Sequence, residues 1–163
     1  MLKTQLAAPR IEVGKPLLLG GLRQTYSMSA ANDLSQQWQR FVPHMAKLSS
    51  NNSKVAYGAV FHASGADNFD YLTAVEISGP EKAPAEFSSV SIPAQRYAIF
   101  PHPGNVSEIK STIREIWEHW MPSSGYRRAA DDAGSVSMLE RYGEGFDPKT
   151  GTGDMELWIP IKN

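Results

Sequence analysis

The chain has 163 residues, of which 41% are hydrophobic and 20% are charged, and its formal net charge is −1. This balance is typical of a globular domain that buries a core, and the lack of a Lys/Arg run argues against direct nucleic-acid binding. The absence of Cys excludes disulfides, zinc–thiolate sites and a cysteine nucleophile. Because neither a membrane-spanning stretch nor a signal peptide is evident, we expect a cytoplasmic protein without membrane contact.

The first half of the chain predicts an extended segment, a helix and a hairpin. The extended segment covers 10–26, and its Gly20-Gly21 pair would bend or bulge the strand. A helix at about 30–42 follows, because apolar residues recur there at helical spacing. Strands at 55–61 and 71–77 then form a hairpin. The apolar face of the helix comprises Leu34, Trp38, Phe41 and Val42, and Ser29 or Asn32 would cap its start.

The second half predicts the same order of elements. A strand at 91–100 precedes a helix that Asn105 would cap, with Glu108 three residues later as in a capping box. Strands at 135–143 and 154–162 follow the helix. The predicted buried stripe of this helix comprises Ile109, Ile113, Ile116, Trp117 and Trp120.

A repeated pattern at the ends of the two helices supports a duplication. The pattern is an indole, an aromatic residue one turn later and a proline that would end the helix. It occurs at Trp38, Phe41 and Pro43 and again, displaced by one constant interval, at Trp117, Trp120 and Pro122. A repeat of this length predicts two similar halves about a pseudo-two-fold axis, with a ligand groove between them.

We therefore predict an α+β fold in which a β-α-β-β unit occurs twice and an antiparallel sheet carries two helices. The repeats would span about 10–78 and 90–162 of a single domain that covers 1–163. Trp38 and Trp117 would occupy equivalent positions as buried core anchors.

Glu140 is the strongest candidate for a functional residue. In the strand at 135–143, alternation places it on one face with Val136, Met138 and Tyr142. An unpaired buried charge is costly, so a carboxylate on an apolar face needs a partner or a polar cavity. If that face is partly solvated, Glu140 is instead an ordinary surface residue.

Aromatic residues could complete a site around such a carboxylate. Tyrosines beside a lone carboxylate suit an amphipathic cation, through cation–π contact and phenol hydrogen bonds, although each aromatic could equally be structural. Trp158 alternates with Leu157 and Ile159 and would point toward the groove. No His shows metal-ligand spacing, so we expect no metal site. We also expect no cofactor and no catalytic residue. The candidate ligand-binding residues are Glu140, Tyr142, Tyr57, Tyr71, Trp120 and Trp158.

Several short motifs follow one another in a characteristic order. They are Phe69-Asp-Tyr71 with Glu76, Ile92-Pro93, the segments 97–104 and 116–126, Leu139-Glu-Arg-Tyr142, and the segment 156–161. Their order and spacing resemble the GyrI-like family, also called AraC-type bacterial effector-binding domains, over nearly the whole chain. The resemblance implies a duplicated β-α-β-β fold that binds small molecules, often lipophilic aromatic cations, between the repeats. It also implies that Glu140, on the strand after the second helix, supplies the negative charge.

The resemblance leaves three functions open. The first is an effector-binding protein for lipophilic aromatic, cationic compounds, similar to stand-alone members on integron cassettes, because the first repeat would begin close to the N-terminus. The second is a hydrolase of reactive genotoxin-like molecules, with Glu140 as a general base. The third is an inhibitor of DNA gyrase. A regulatory protein partner is compatible with the family.

Overall fold

The computed structural model describes residues 6–27, 34–48, 54–62, 68–79, 85–102, 104–129, 135–147 and 149–163. These residues form antiparallel strands and two helical segments, which confirms the α+β class. The predicted caps Ser29 and Asn32 lie outside the described residues. The strands are β1 (Arg10–Gly14), β2 (Leu17–Ser27), β3 (Ala56–His62), β4 (Asn68–Glu76), β5 (Ser88–Ile92), β6 (Gln95–Pro101), β7 (Arg127–Arg128), β8 (Val136–Tyr142) and β9 (Met155–Lys162).

The sheet has the order β1-β6-β9-β8-β3-β4-β2-β5, and β7 pairs with the outer part of β9. The order is symmetric: β1-β6-β9-β8, read inward from one edge, corresponds to β5-β2-β4-β3, read inward from the other. In the first repeat β2 pairs with β4 and β4 with β3, and in the second β6 pairs with β9 and β9 with β8. The antiparallel β3–β8 pair joins the halves, so the predicted β-α-β-β duplication and its pseudo-two-fold relation are confirmed. The repeat limits at 10–78 and 90–162 stay a prediction.

Each repeat opens with a strand that the sequence did not predict. We expected single strands at 10–26 and 91–100, but the first is interrupted at Pro16 and the second at Pro93. Proline cannot donate a hydrogen bond to a sheet, so it separates strands. Strand β1 then pairs with β6, and β5 pairs with β2, so each opening strand adds to the sheet of the other repeat.

The Gly20-Gly21 pair, which we predicted would bend or bulge the strand, produces no bulge in β2. Strand β2 keeps a continuous register with β4 through both glycines. A Cβ atom at Gly21 would lie 1.8 Å from the backbone oxygen of Thr73, so this position allows the two strands to approach closely.

The first helical segment extends beyond its predicted end, and both segments are less regular than predicted. Within the described ranges no helix is long and apolar enough to cross a membrane. Asn105 caps the second segment as predicted, since its side chain accepts a hydrogen bond from the Ser107 amide at 2.9 Å. The first segment comprises α1 (Ser35–Phe41), a 3-10 turn (Val42–His44) and α2 (Met45–Leu48). The second comprises a 3-10 turn (Val106–Glu108), α3 (Ile109–Glu115), a π-helical stretch (Ile116–Trp120) and α4 (Met121–Ser124).

Pro43 and Pro122 do not end the helices, contrary to our prediction. Pro43 lies at the start of a 3-10 turn and Pro122 at the start of α4. Before Pro122, the Met121 amide already bonds to the carbonyl of Ile116 in the wider π-helical register. Each proline falls where the hydrogen-bond pattern of its segment changes, to a 3-10 turn at Pro43 and after the π-helical stretch at Pro122, and both segments continue past it.

The curled sheet carries apolar side chains on both faces. On one face, a single cluster extends from Leu19 and Ile92 near one edge to Tyr97 and Ile99 near the other. This far-side cluster comprises Leu17, Leu19, Tyr57, Ala59, Phe61, Leu72, Ala74, Ile92, Tyr97, Ile99, Val136 and Leu139. The helix-side cluster comprises Ala56, Ala98, Phe100, Ile116, Met138, Tyr142, Met155, Leu157, Ile159 and Ile161.

The two indoles of the repeated pattern, which we predicted as largely buried core anchors, are partly buried and pack on the core. Trp38 and Trp117 both pack against the helix-side cluster. The fully buried apolar residues of the two helical segments are Phe41, one turn after Trp38, and Ile116, directly before Trp117. Because an indole is large, it is seldom fully enclosed even where it contributes to a core.

Replacing the buried ring of the first helical segment should destabilise the fold strongly. Phe41→Ala should lower the free energy of unfolding by about 3–5 kcal/mol, because it leaves a cavity beside Val75 and Ile77. Val42→Ala is the matched control: Val42 is 52% exposed, and its loss should cost less than about 0.5 kcal/mol. Denaturant unfolding followed by circular dichroism measures both, and equal losses would contradict the packing described.

Candidate functional site

Glu140 lies near the middle of β8, on the face of the sheet that the helical segments cover. Only 5% of its surface is exposed. The strand alternates as predicted, since Met138 and Tyr142 belong to the helix-side cluster and Leu139 to the far-side cluster. The carboxylate therefore lies among apolar side chains and not on a solvated face.

Val136 does not share this face, contrary to our prediction. The register between β3 and β8 shifts between Val60 and Phe61, so that Phe61 pairs with Val136. The irregularity adds a residue to β8 and turns Val136 toward the far-side cluster.

Two phenols hold the Glu140 carboxylate. Its Oε1 atom accepts hydrogen bonds from the hydroxyl of Tyr71 at 2.5 Å and from that of Tyr142 at 2.9 Å. The Tyr71 oxygen in turn accepts a hydrogen bond from Nε1 of Trp38 at 3.0 Å. An indole N–H can only donate, so the chain of donors runs from Trp38 through Tyr71 to Glu140.

Gly58 makes this arrangement possible. Strand β3 lies between β4 and β8, and Gly58 is directly opposite Glu140 in the β3–β8 register. A Cβ atom at Gly58 would lie 2.3 Å from the Tyr71 hydroxyl oxygen and 2.5 Å from Glu140 Oε1. The bare backbone therefore lets the Tyr71 phenol cross β3 to reach Glu140. We had interpreted Gly58 only as a strand residue, although glycine within a strand can mark such a close approach.

The charge on Glu140 has no basic partner among the described residues. Burial raises the pKa of Glu140 above its ordinary value, and the hydrogen bonds from Tyr71 and Tyr142 oppose that increase. Burial, and then the neighbouring Glu140 carboxylate, raise the pKa of both tyrosines well above the usual value. The two phenols therefore remain protonated donors near neutral pH.

The second carboxylate oxygen, Oε2, makes no hydrogen bond to any described residue. No enclosed side-chain oxygen or nitrogen in the described part of the chain lacks a hydrogen-bond partner. Since Oε2 lacks one, it must keep some solvent-accessible area. Part of the small exposed surface of Glu140 thus belongs to its unsatisfied oxygen, which can accept a bond from a ligand.

Two of the predicted site residues lie elsewhere. Tyr57 belongs to the far-side cluster, and Trp158 packs on Tyr97 there with ring centroids 5.2 Å apart. Leu157 pairs with Glu140 across β8 and β9, so a residue that alternates with Leu157 points away from Glu140. The prediction that Trp158 faces the same groove as Glu140 is therefore wrong.

Trp120 lies on the helix side, but its described ring contacts are with residues that do not bond to Glu140. It packs edge-on against Phe100 at 5.0 Å and stacks on Tyr126 at 6.2 Å. The predicted residues that the structure brings together by hydrogen bonds are thus Glu140, Tyr71 and Tyr142. Trp38 joins them, although the helical spacing had indicated only a core role for it.

Two surface cavities in the described structure do not include Glu140. One, of about 520 Å³, is bounded by residues that include Tyr126, Arg127 and Lys162. The other, of about 230 Å³, lies on the far side beside Phe61 and Val136. No group of three or more His, Asp or Glu in the described ranges is arranged to hold a metal ion.

With this geometry established, comparison with known proteins gives the family. The model of the GyrI-like small molecule binding domain matches residues 7–162. The chain belongs to the GyrI-like family. The resemblance of the sequence motifs is thereby confirmed, and the chain is a small-molecule-binding domain.

Proteins similar to this GyrI-like domain include a transcriptional regulator and several proteins of known structure. It is 27% identical over 140 residues to the transcriptional regulator BrlR of Pseudomonas aeruginosa, covering 83% of this chain but 49%, about half, of that regulator. The structure of SAV2435 bound to tetraphenylphosphonium has a TM-score of 0.70 and 18% identity, over 96% of this chain and 95% of that one. An integron cassette protein from the mobile metagenome of Vibrio cholerae has a TM-score of 0.68 and 15% identity, over 96% and 97% of the two chains. At these identities the solved structures show a shared fold.

Filling the space above Gly58 should disrupt the site. Gly58→Ala should cost about 1–3 kcal/mol of stability, because the new methyl group would push Tyr71 away from Glu140. Gly104→Ala is a useful control, since its methyl group would meet mainly the flexible end of Glu108. Thermal unfolding measures both variants; a Gly58→Ala protein as stable as the control variant would contradict the close approach.

Proposed function

We propose that this domain binds lipophilic aromatic cations and that Glu140 supplies the charge that recognises them. The observation that carries the proposal is a buried carboxylate that has two phenol donors on one oxygen, a free second oxygen and no cation among the described residues. Such a group is an incomplete ion pair, and a cationic ligand would complete it.

Glu156, a carboxylate on the neighbouring strand β9, differs from Glu140 because it has basic partners. Glu156 faces the far side and contacts Arg10 at 2.7 Å and Arg141 at 3.8 Å. Although burial acts to raise the pKa of Glu156, hydrogen bonds from Arg10 and Trp158 bring it below the ordinary value. The protein thus neutralises Glu156 with its own guanidinium groups, whereas Glu140 has no equivalent partner in the described structure.

The surroundings of Glu140 favour a bulky, delocalised cation over a small hydrated one. Its neighbours are phenols and rings: Tyr142 packs against Trp38 at 5.3 Å and against Phe146 at 4.8 Å. A metal ion or a primary ammonium needs several oxygen ligands, but Oε2 is the one carboxylate oxygen left free here. Aromatic walls attract a cation and give an anion no equivalent contact, and low polarity strengthens the attraction to the carboxylate.

Ligand entry requires side chains to move, because Glu140 is almost fully covered. The partly buried side chains of the first helical segment, Trp38 and Met45, are groups on this side that would rearrange. SAV2435, which shares the fold, is described in complex with tetraphenylphosphonium, and this compound is therefore the appropriate probe. Hydrolysis of reactive molecules and inhibition of gyrase stay alternative predictions from the sequence.

Charge recognition can be tested with matched tetraphenyl compounds. Glu140→Gln keeps the shape of the side chain and removes its charge, and should weaken tetraphenylphosphonium binding by about 1–3 kcal/mol, or roughly 5- to 150-fold. Glu144→Gln removes the same charge from an exposed position and should leave affinity unchanged. Isothermal titration calorimetry measures all three proteins.

The same titrations with an anion and a neutral compound complete the test. Tetraphenylborate has nearly the same shape but the opposite charge, and it should not compete for the site. Triphenylphosphine oxide should bind wild type and Glu140→Gln about equally. Strong tetraphenylborate binding, or a loss of affinity that is the same for neutral and cationic compounds, would refute charge recognition by Glu140.

A further inference from the structure

Trp38 stands at the head of the hydrogen-bond chain that ends on Glu140. Its Nε1 donates to the Tyr71 oxygen at 3.0 Å, and the Tyr71 hydroxyl donates to Glu140 at 2.5 Å. A tyrosine hydroxyl carries one proton. Because the indole occupies the Tyr71 oxygen as a donor, that proton must point elsewhere, and Glu140 is where it points.

The position of Trp38 is held by the residue before it. Gln37 is fully buried, and its amide nitrogen donates to the carbonyl oxygens of Leu22 at 2.7 Å and Tyr71 at 2.9 Å. Its amide oxygen accepts the Tyr26 hydroxyl at 2.6 Å. Gln37 therefore attaches α1 to both β2 and β4, which fixes the indole over the Tyr71 phenol.

Few groups besides these phenols can influence the charge on Glu140. The titratable groups that face it are Tyr71 from β4 and Tyr142 from its own strand. From the other neighbouring strands, β3 presents Gly58 and β9 presents Leu157. Both helical segments contribute apolar and aromatic side chains to this face. Within the described structure, the direction of the two phenol hydrogen bonds is the main influence that opposes burial.

The equivalent indole of the second repeat has a different role. Trp117 occupies the corresponding place in the repeated pattern and also packs on the helix-side cluster. Its ring contact is with the guanidinium of Arg128, 5.0 Å from the ring centroid. On this side of the second repeat, strand β9 presents Met155, which has no hydroxyl, and Trp117 makes no described hydrogen bond to a phenol. Trp117 is therefore a natural control for Trp38.

We propose that Trp38 is a positioning residue of the ligand site, whose indole N–H directs the Tyr71 proton onto Glu140 Oε1 and so keeps the carboxylate ionised with Oε2 free for a cation. The class of ligand in this inference rests on the proposed function, but the hydrogen bonds from Trp38 through Tyr71 to Glu140 are present without a ligand. Trp38 thereby determines how strongly the site distinguishes cationic from neutral ligands, through Tyr71 and without itself supplying charge. An indole that only filled space would have no such effect.

The test is the titration of Glu140 in the ligand-free protein. Carboxyl ¹³C NMR measures the Glu140 pKa in wild type, Trp38→Phe and Trp117→Phe. Trp38→Phe keeps an aromatic ring but removes the N–H, so Tyr71 becomes a weaker and rotationally free donor. We expect the Glu140 pKa to be higher than in wild type for Trp38→Phe and unchanged for Trp117→Phe.

Ligand affinity provides a second readout. At neutral pH, Trp38→Phe should lose about three- to tenfold in tetraphenylphosphonium affinity, the scale of one hydrogen bond, and little in triphenylphosphine oxide affinity. If Trp38→Phe does not fold, replacement of Trp38 by benzothienylalanine keeps the shape with sulfur in place of N–H, and the same pKa increase is expected.

The outcomes separate the two proposals. An unchanged Glu140 pKa in the Trp38 variants, or an equal change in Trp117→Phe, would overturn the role of Trp38 even if wild type binds the cation. If wild type fails to bind tetraphenylphosphonium but the pKa increase is seen, the hydrogen-bond role of Trp38 is upheld and the proposed ligand class is wrong.

Discussion

The hydrogen bonds from Tyr71 and Tyr142 to Glu140 are the interaction on which the architecture of the site depends. A carboxylate with 5% exposure is stable in the ionised form only if donors replace the water it has lost. Here both donors meet one oxygen, so half of the carboxylate is satisfied by the fold and half is not. The requirement extends to β3, where Gly58 must lack a side chain for the Tyr71 phenol to reach across.

Duplication supplies a symmetric frame, and the site arises where the symmetry is broken. Strands β3 and β8 are equivalent strands of the two repeats and pair with each other at the centre of the sheet. At their junction one strand contributes Glu140 and the other contributes Gly58. A carboxylate in both places would put two like charges side by side in an apolar setting, which is strongly unfavourable. One charged and one empty position instead leave room for the Tyr71 phenol that donates to Glu140.

Several features could be predicted from sequence because they depend on local periodicity. The order of strands and helices, the duplicated unit and the face on which Glu140 lies follow from the two-residue and 3.6-residue spacing of apolar side chains. The GyrI-like resemblance pointed to the same fold, and the family model confirms it.

Features that depend on contacts between distant segments were not predicted. Proline at positions 16 and 93 accounts for the strand breaks, but it does not reveal that β1 pairs with β6 and β5 with β2 of the other repeat. Trp158 alternated correctly, but its face could be decided only by the partner of Leu157 across the sheet. Trp38 looked like a core residue because its role depends on Tyr71, a strand residue from a separate part of the chain.

The central claim is that Glu140 is a buried carboxylate whose free oxygen accepts a cationic ligand. The most direct measurement is a crystal structure of the domain with tetraphenylphosphonium. The account predicts the phosphonium group beside Glu140 on the Oε2 side, with the Tyr71 and Tyr142 hydroxyls still bonded to Oε1 and the phenyl rings against the helix-side aromatic residues. A cation bound elsewhere, for example in the cavity beside Phe61 and Val136, with Glu140 still covered, would contradict it.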